Sequence, residues 1–493
     1  MLKFIKLGTL TENTLYSYFA ILTSMLFGLL SKVLLSKILT ISEVGLFITT
    51  QTFFIFVMFA SGDWLSDSVV YHVAKNSNNK NILKNIYYKS LLIGLSISIT
   101  FTVIYITAKF FILDSLFDNK VIFLILLLWI LAIPFRVISG LIGALFQGLN
   151  NLKIKIIFND ILPYFFIIIC LLFFYLLNVN SLIFVIAVYI TSYFLFSLIL
   201  ILKSLFFFKN ERSENFKSTR LIKYGAPLFF AGLVNWPLAS MPILIAFLDN
   251  LNNVTFYTFS LSIVVLITLP ISAIEPALFP YWTNQLKTNN TVKIFSKLSD
   301  ISYITFLISS LLFVPIFCCS ENIIRILFGN DYLQISDYIK YLSIFVLLVS
   351  IFGPLDSVLK ALGETKSLFK SRFIEAVIVL VAIFPAIKYF DIKGSFITYV
   401  IASTAGLTYF IYIISYKKKI LYLNKKYFFN LISVSFLIFI ECIVINYYIN
   451  FKNDFLNILI VSLSHFLIIL LFLQLTGKMK KIINVINDIN SNI

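Results

Sequence analysis

Apolar residues run along this chain in unbroken stretches of about twenty, divided by short polar segments that are mostly basic. The stretch from Val121 through Leu131 to Pro134 is typical. A helix crosses the hydrocarbon core with about 20 apolar residues, whereas an outer-membrane strand alternates apolar and polar positions over about ten. No such alternation occurs, so the stretches predict helices. Fourteen spans are expected, near 14–35, 44–62, 89–111, 121–147, 156–177, 181–202, 224–248, 254–276, 299–319, 338–358, 372–390, 394–415, 428–449 and 455–475. The expected fold is an all-α, polytopic membrane protein of 14 transmembrane helices.

Composition removes the soluble alternative. Of 493 residues, 60% are hydrophobic and 12% charged, and the mean hydropathy is +0.98. A soluble domain carries about 25% charged residues. Cys170, Cys318, Cys319 and Cys442 all sit within apolar runs, at spacings that match no metal site. The adjacent Cys318 and Cys319 read as small apolar fillers or as a redox pair. No metal or cofactor is expected. The basic start lacks a short apolar core with a small-residue cleavage site, so the first apolar run is expected to be a retained span.

The charges orient the spans. With the N-terminus, the even-numbered loops and the C-terminus on one side, that side holds 29 of the 39 Lys and Arg residues. The odd-numbered loops hold 8, and Lys32 and Arg136 lie within spans. Positively charged loops stay inside, which makes both termini cytoplasmic. The net charge of +17 is therefore a topology signal and not a nucleic-acid footprint, which would need a basic soluble module. No outer loop is long, the largest running over about 320–337. That argues against envelope enzymes that work through a large outer loop. No G-x-x-x-x-G-K-[ST] phosphate loop is present, so no ATP is expected.

The chain also repeats. Ser42-Glu43-Val44-Gly45-Leu46-Phe47 matches Asn252-Asn253-Val254-Thr255-Phe256-Tyr257 at an offset of 210. Val70-Tyr71 through Asn78-Asn79 matches Tyr281-Trp282 through Asn289-Asn290 at 211. Gly140 and Leu149 to Lys153 match Gly353 and Leu362 to Lys366 at 213. Each offset spans six helices. The division expected is an N-terminal six-helix lobe over 1–203, a cytoplasmic linker and hinge over 204–223, and a C-terminal six-helix lobe over 224–416. An extra two-helix hairpin over 417–476 and a basic interfacial tail over 477–493 follow. Two similar bundles are the plan of a transporter that works by alternating access, or of an inert duplicated scaffold. All eleven prolines lie inside spans or at their edges, with Pro227, Pro237 and Pro242 in span seven and Pro270, Pro276 and Pro280 around the end of span eight. Proline bends a helix and frees a carbonyl. Pro237 reads as a static kink or as a bend that flexes in gating. Gly140, Ala144 and Gly148 form a small-residue packing stripe on span four.

Several segments resemble the polysaccharide-precursor flippases, the O-antigen or Wzx-type branch of the multidrug/oligosaccharidyl-lipid/polysaccharide exporter superfamily. They are Glu321-Asn322-Ile323-Ile324-Arg325-Ile326-Leu327-Phe328-Gly329-Asn330-Asp331-Tyr332, Pro276-Ala277-Leu278-Phe279-Pro280, Leu362-Gly363-Glu364-Thr365-Lys366 and Ser42 to Phe47. The resemblance in topology covers essentially the whole chain. It implies a non-enzymatic flippase that carries an undecaprenyl-pyrophosphate-linked oligosaccharide across the bacterial inner membrane. Its partners would be that lipid-linked oligosaccharide and the membrane lipids, and can include a polysaccharide polymerase or other assembly proteins. The alternatives are a multidrug/cation antiporter of the same superfamily and a peptidoglycan lipid-precursor flippase. Span one lacks the N-lobe acid typical of the antiporters. The five arginines include none before Arg136, whereas the peptidoglycan-precursor branch uses several in its early helices.

Charges inside spans cost about 2.5–3.5 kcal/mol each at mid-bilayer, so those present are expected to face protein or water. Arg136 shares a helical face with Gly140, Gly143 and Gln147. It reads as a cation for the pyrophosphate or as the partner of a nearby acid or carbonyl. Lys32 and Lys360 are further substrate-binding candidates. Lys32 can alternatively snorkel to the interface, and Lys360 can pair with Asp356 four residues before it. Asp63, Asp160, Glu275 and Asp356, all toward the cytoplasmic ends of their spans, are candidates for coupling or gating, or are solvated or paired. Arg372 can pair with Glu375. Glu441 and His465 in the extra hairpin read as a structural hydrogen bond or as a proton relay. Met479, Ile482, Ile483, Ile486 and Ile489 share one face of an expected interfacial helix.

Overall fold

The structure is a computed structural model that describes residues 9–108, 120–149, 151–209, 211–212, 214–275, 278, 282, 291–417, 425–448 and 453–478. The described residues are mostly helical, with no strand. Among the described residues, ten helices are long and apolar enough to cross a membrane, or eleven if a bent pair counts as one span. The expected figure of fourteen also counts helices outside that set. The tail residues 479–493 and the positions Pro276, Ala277, Phe279, Pro280, Asn289 and Asn290 lie outside the described residues. Internal contacts divide the chain into two compact units, Met1–Thr255 and Phe256–Ile493.

The first unit holds α1 (Thr9–Ile38), α2 (Ile41–Met58), α3 (Trp64–Lys75), α4 (Lys80–Ala108), α5 (Lys120–Gly148), α6 (Leu152–Lys155), α7 (Leu162–Leu176), α8 (Leu182–Phe207), α9 (Ser218–Ala239) and α10 (Met241–Leu248). α2 opens with a capping box: Thr40 accepts from the Glu43 N–H while Glu43 reaches back to the Thr40 N–H. It runs through a π turn, Phe59–Asp63, directly into α3. The helix is thus longer than its apolar run predicts. α3 is amphipathic and buries Leu65, Val69 and Val73, so its polar residues hid it from a search for unbroken apolar stretches. A second π turn, Ile156–Ile161, joins α6 to α7. α5 is the hub, packed against α2, α3, α4 and α8. Its Trp129 is fully buried, donates to Thr50 Oγ1 at 3.1 Å and packs with Phe47, Phe54 and Tyr189.

The segment 204–223 is bonded to α4 at several points. Lys84 Nζ donates to the Glu211 carbonyl at 2.6 Å, Lys89 Nζ to the Phe216 carbonyl at 2.6 Å, and the Phe216 N–H to Asn85 Oδ1 at 3.1 Å. α9 then lies on α3, where Gly225 lets the Trp64 ring approach and Ser68 donates to the Leu221 carbonyl at 2.9 Å. α9 and α10 meet at a 45° bend. Pro237 lies three residues before the bend and Pro242 opens α10, so both sides lack the backbone donors that would continue one straight helix.

The second unit is built around α12 (Thr291–Cys318), with α11 (Leu251–Val264) leading into it. It continues with α13 (Ser320–Leu327), α14 (Ser336–Ser350), α15 (Leu355–Ala361), α16 (Thr365–Tyr412), α17 (Lys425–Tyr448) and α18 (Asp454–Leu475). α12 packs against α14, α17 and α18. α14 and α15 are separated by a break at Gly353, whose φ of +67° suits glycine. Within α16, Asp391 (φ 49°, ψ −139°) interrupts the helix. Gly394 there lies against the Ala386 backbone, so the chain folds back and the two spans expected over 372–415 meet at this point.

Candidate functional site

Arg136 stands half-buried on α5, two residues after Pro134. Two side-chain environments converge on it. The Tyr193 ring of α8, itself buried, lies 5.6 Å from the guanidinium carbon, a cation–π contact that strengthens where water is scarce. From the second π turn, the Asn159 carbonyl accepts from Arg136 Nη1 at 3.3 Å. A π turn leaves a carbonyl outside the regular ladder, and such turns cluster at functional sites. Asp160 follows in the same π turn, and Asp63 ends the first one. Both carboxylates act on Arg136 through their fields, and Lys155 acts on both acids. Among the described residues none of these groups forms an ion pair within 4 Å of Arg136. Among the described residues, the guanidinium donates one hydrogen bond from its five N–H groups, to the Asn159 carbonyl.

The glycines of α5 make this room. A Cβ on Gly140 would lie 3.4 Å from Asp63 Oδ1, and one on Gly143 would collide with Asn159 Nδ2. Lys155 Nζ donates to Gln147 Oε1 at 2.7 Å, which closes the polar face that Arg136, Gly140, Gly143 and Gln147 share. Of the predicted residues, the first unit thus brings together Arg136, Asp63 and Asp160. Lys32 is half-buried on α1, which packs on α7 and the second π turn. It is not among the main charges acting on those three. Pro237 lies at the α9–α10 bend.

The second unit gathers the remaining candidates into a paired network. Lys360 and Arg372 approach Asp356 at 3.7 and 3.8 Å. Arg372 also donates to both oxygens of Glu375, at 3.2 and 2.9 Å. Glu375 is 4% exposed and presses against Gly406, where any side chain would overlap its carboxylate. Glu275 lies in the field of Asp356, Lys360 and Arg372. The repeat places these groups in register: Asp63 and Glu275 are 212 residues apart, and Gly143 and Gln147 are each 213 from Asp356 and Lys360.

Glu441 and His465 bond at 2.6 Å, and His465 Nε2 meets Ser310 Oγ of α12 at 3.3 Å. Ser310 already donates to the Leu307 carbonyl, so Nε2–H is the donor to Ser310. One proton then lies between Nδ1 and Glu441 Oε2. Asp454 is held by Arg325 at 2.9 Å and Asn322 at 2.6 Å, and Lys478 bonds Asn430 at 2.9 Å.

Sequence reasoning missed Asn159, Lys155 and Tyr193. Only the glycines on the Arg136 face hinted that a neighbour comes close.

The family described as polysaccharide biosynthesis protein matches residues 10–286 and 284–465. No curated protein matches the chain. Among solved structures, the lipid II flippase MurJ in an inward closed conformation aligns with a TM-score of 0.70 at 17% identity, over 93% of this chain and 99% of that one. An inward-facing multidrug resistance MATE family transporter of the MOP superfamily aligns at 0.64 and 15%, over 79% and 93%. A MOP superfamily transporter from Pyrococcus furiosus aligns at 0.56 and 15%, over 82% and 94%. At these identities the structures establish the fold, and the family match establishes membership. This multi-pass membrane protein has the fold of the MOP superfamily transporters, and it belongs to the polysaccharide biosynthesis protein family.

Proposed function

We propose that the protein is a flippase that moves an undecaprenyl-pyrophosphate-linked oligosaccharide, the repeat unit of O-antigen or another surface polysaccharide, across the bacterial inner membrane by alternating access. It acts as a transporter and not as an enzyme. The observation that carries this reading is Arg136: a guanidinium within a span, steadied by Tyr193 and a π-turn carbonyl, with most of its donors unpaired among the described residues. A planar fork of N–H groups matches two phosphate oxygens at once.

Charge balance gives the acids a role. Arg136 and Lys155 face Asp63 and Asp160, with Asp67 also acting on Asp63, so the ionised acids offset the positive charge of the cluster. A pyrophosphate fits once protons neutralise the acids, which makes Asp63 and Asp160 the proposed coupling groups. Export is also favoured by the membrane potential, by about 2.3 kcal/mol per charge per 100 mV. A pyrophosphate with about two negative charges gains about 4–5 kcal/mol per 100 mV.

The test is made in cells. Loss of the protein is expected to leave lipid-linked sugar trapped in the inner leaflet of the cytoplasmic membrane. Unchanged delivery to the outer leaflet rejects the function. A reporter fused after residue 215 is expected to read cytoplasmic, and a periplasmic readout breaks the topology.

A further inference from the structure

We infer that Asn159 is the positioning residue of the anion site, holding Arg136 in the attitude that receives a pyrophosphate; this rests on the function proposed above. Asn159 is 3% exposed in the second π turn. It ties that turn to α5 by two reciprocal bonds. Its backbone carbonyl accepts from Arg136 Nη1 at 3.3 Å, and its side-chain Nδ2 donates to the Ser139 carbonyl at 3.0 Å. Ser139 is one turn beyond Arg136, and its hydroxyl donates back to the Arg136 carbonyl at 2.9 Å. The loop of contacts therefore begins and ends on the residue it positions.

Gly143 makes the second bond possible. A helical carbonyl lies beside the side chain four residues on, and for Ser139 that residue is Gly143. With no Cβ there, the carbonyl is bared to Asn159 Nδ2; an added Cβ would overlap that nitrogen and lie 3.1 Å from Lys155 Cγ. The same bond sets the rotation of the π turn, and hence where Asp160 stands relative to Arg136. Asn159 Oδ1 is buried with no hydrogen-bond partner among the described residues. An unsatisfied buried acceptor costs stability, so this side chain is kept for its geometry at some expense to the fold, as positioning groups at binding sites are.

The experiment uses the full chain in lipid nanodiscs, with undecaprenyl pyrophosphate as the charged probe and undecaprenol as its neutral counterpart. Asn159→Ala is expected to weaken binding of the pyrophosphate about tenfold, leave undecaprenol binding unchanged, and cause no further loss in an Arg136→Ala background. Wild-type affinity in Asn159→Ala overturns the inference, as does an equal loss for undecaprenol or a loss that persists without Arg136. Should Asn159→Ala fail to fold, Gly143→Ala displaces the same amide from the α5 side and is held to the same three outcomes. If Arg136→Ala itself binds the pyrophosphate normally, the functional reading falls and takes this inference with it. If Arg136→Ala loses binding while Asn159→Ala does not, only the positioning role is lost.

Discussion

The two units treat equivalent positions in opposite ways. In the first, Gly143 leaves space on α5, Asn159 enters it, and Arg136 faces two acids with no ion pair within 4 Å among the described residues. In the second, the position equivalent to Gly143 is Asp356, and that of Gln147 is Lys360. There the space is filled: Asp356 binds Lys360 and Arg372, and Arg372 binds the buried Glu375. Removing one member of a buried pair strands the other charge, whereas an incompletely paired charge remains available to a ligand. On the proposed function, binding belongs to the first cluster, while Lys360 and Asp356 are paired in the second.

This contrast can be broken most sharply at its two arginines. Arg136→Ala is expected to reduce transport about 100-fold with little change in melting temperature, because no ion pair within 4 Å is lost. Arg372→Ala is expected to do the reverse. It strands a carboxylate that is 4% exposed and destabilises the protein by about 2–4 kcal/mol, read as a fall in melting temperature. Arg372→Ala with Glu375→Ala should recover much of that loss. A smaller effect, roughly tenfold, is expected at the acids beside Arg136. Neutralising Asp160 as Asn should tighten pyrophosphate binding, and the wild type should bind more tightly as pH falls, since protonation removes the competing negative charge. Binding that weakens on acidification reverses the proposed coupling. The smallest effect belongs to the hairpin pair. Glu441→Gln can still donate to His465 Nδ1 and is expected to melt within about 0.5 kcal/mol of wild type, whereas Glu441→Leu loses about 1–2 kcal/mol. Equal melting of the two variants removes the shared proton.

Much of this was legible in the chain. Apolar runs located the spans, since lipid allows no other way to satisfy a backbone over that length. The pairing of Arg372 with Glu375 follows from helical spacing, and the polar face of Arg136 was visible from its glycines. What could not be read depends on departures from regular helix. The π turns rotate Asp63 and Asn159 by amounts that a uniform helical period does not predict. The break at Gly353 brings Asp356 to Arg372 across a turn. Ser310 meets His465 from 155 residues away, a contact that no local pattern encodes.

The most direct test is flux in reconstituted liposomes, with a fluorescent undecaprenyl-pyrophosphate oligosaccharide and wild-type protein compared with Arg136→Ala. The account predicts rapid movement between leaflets for the wild type and movement near the protein-free rate for the variant. Equal rates for the two proteins would contradict it.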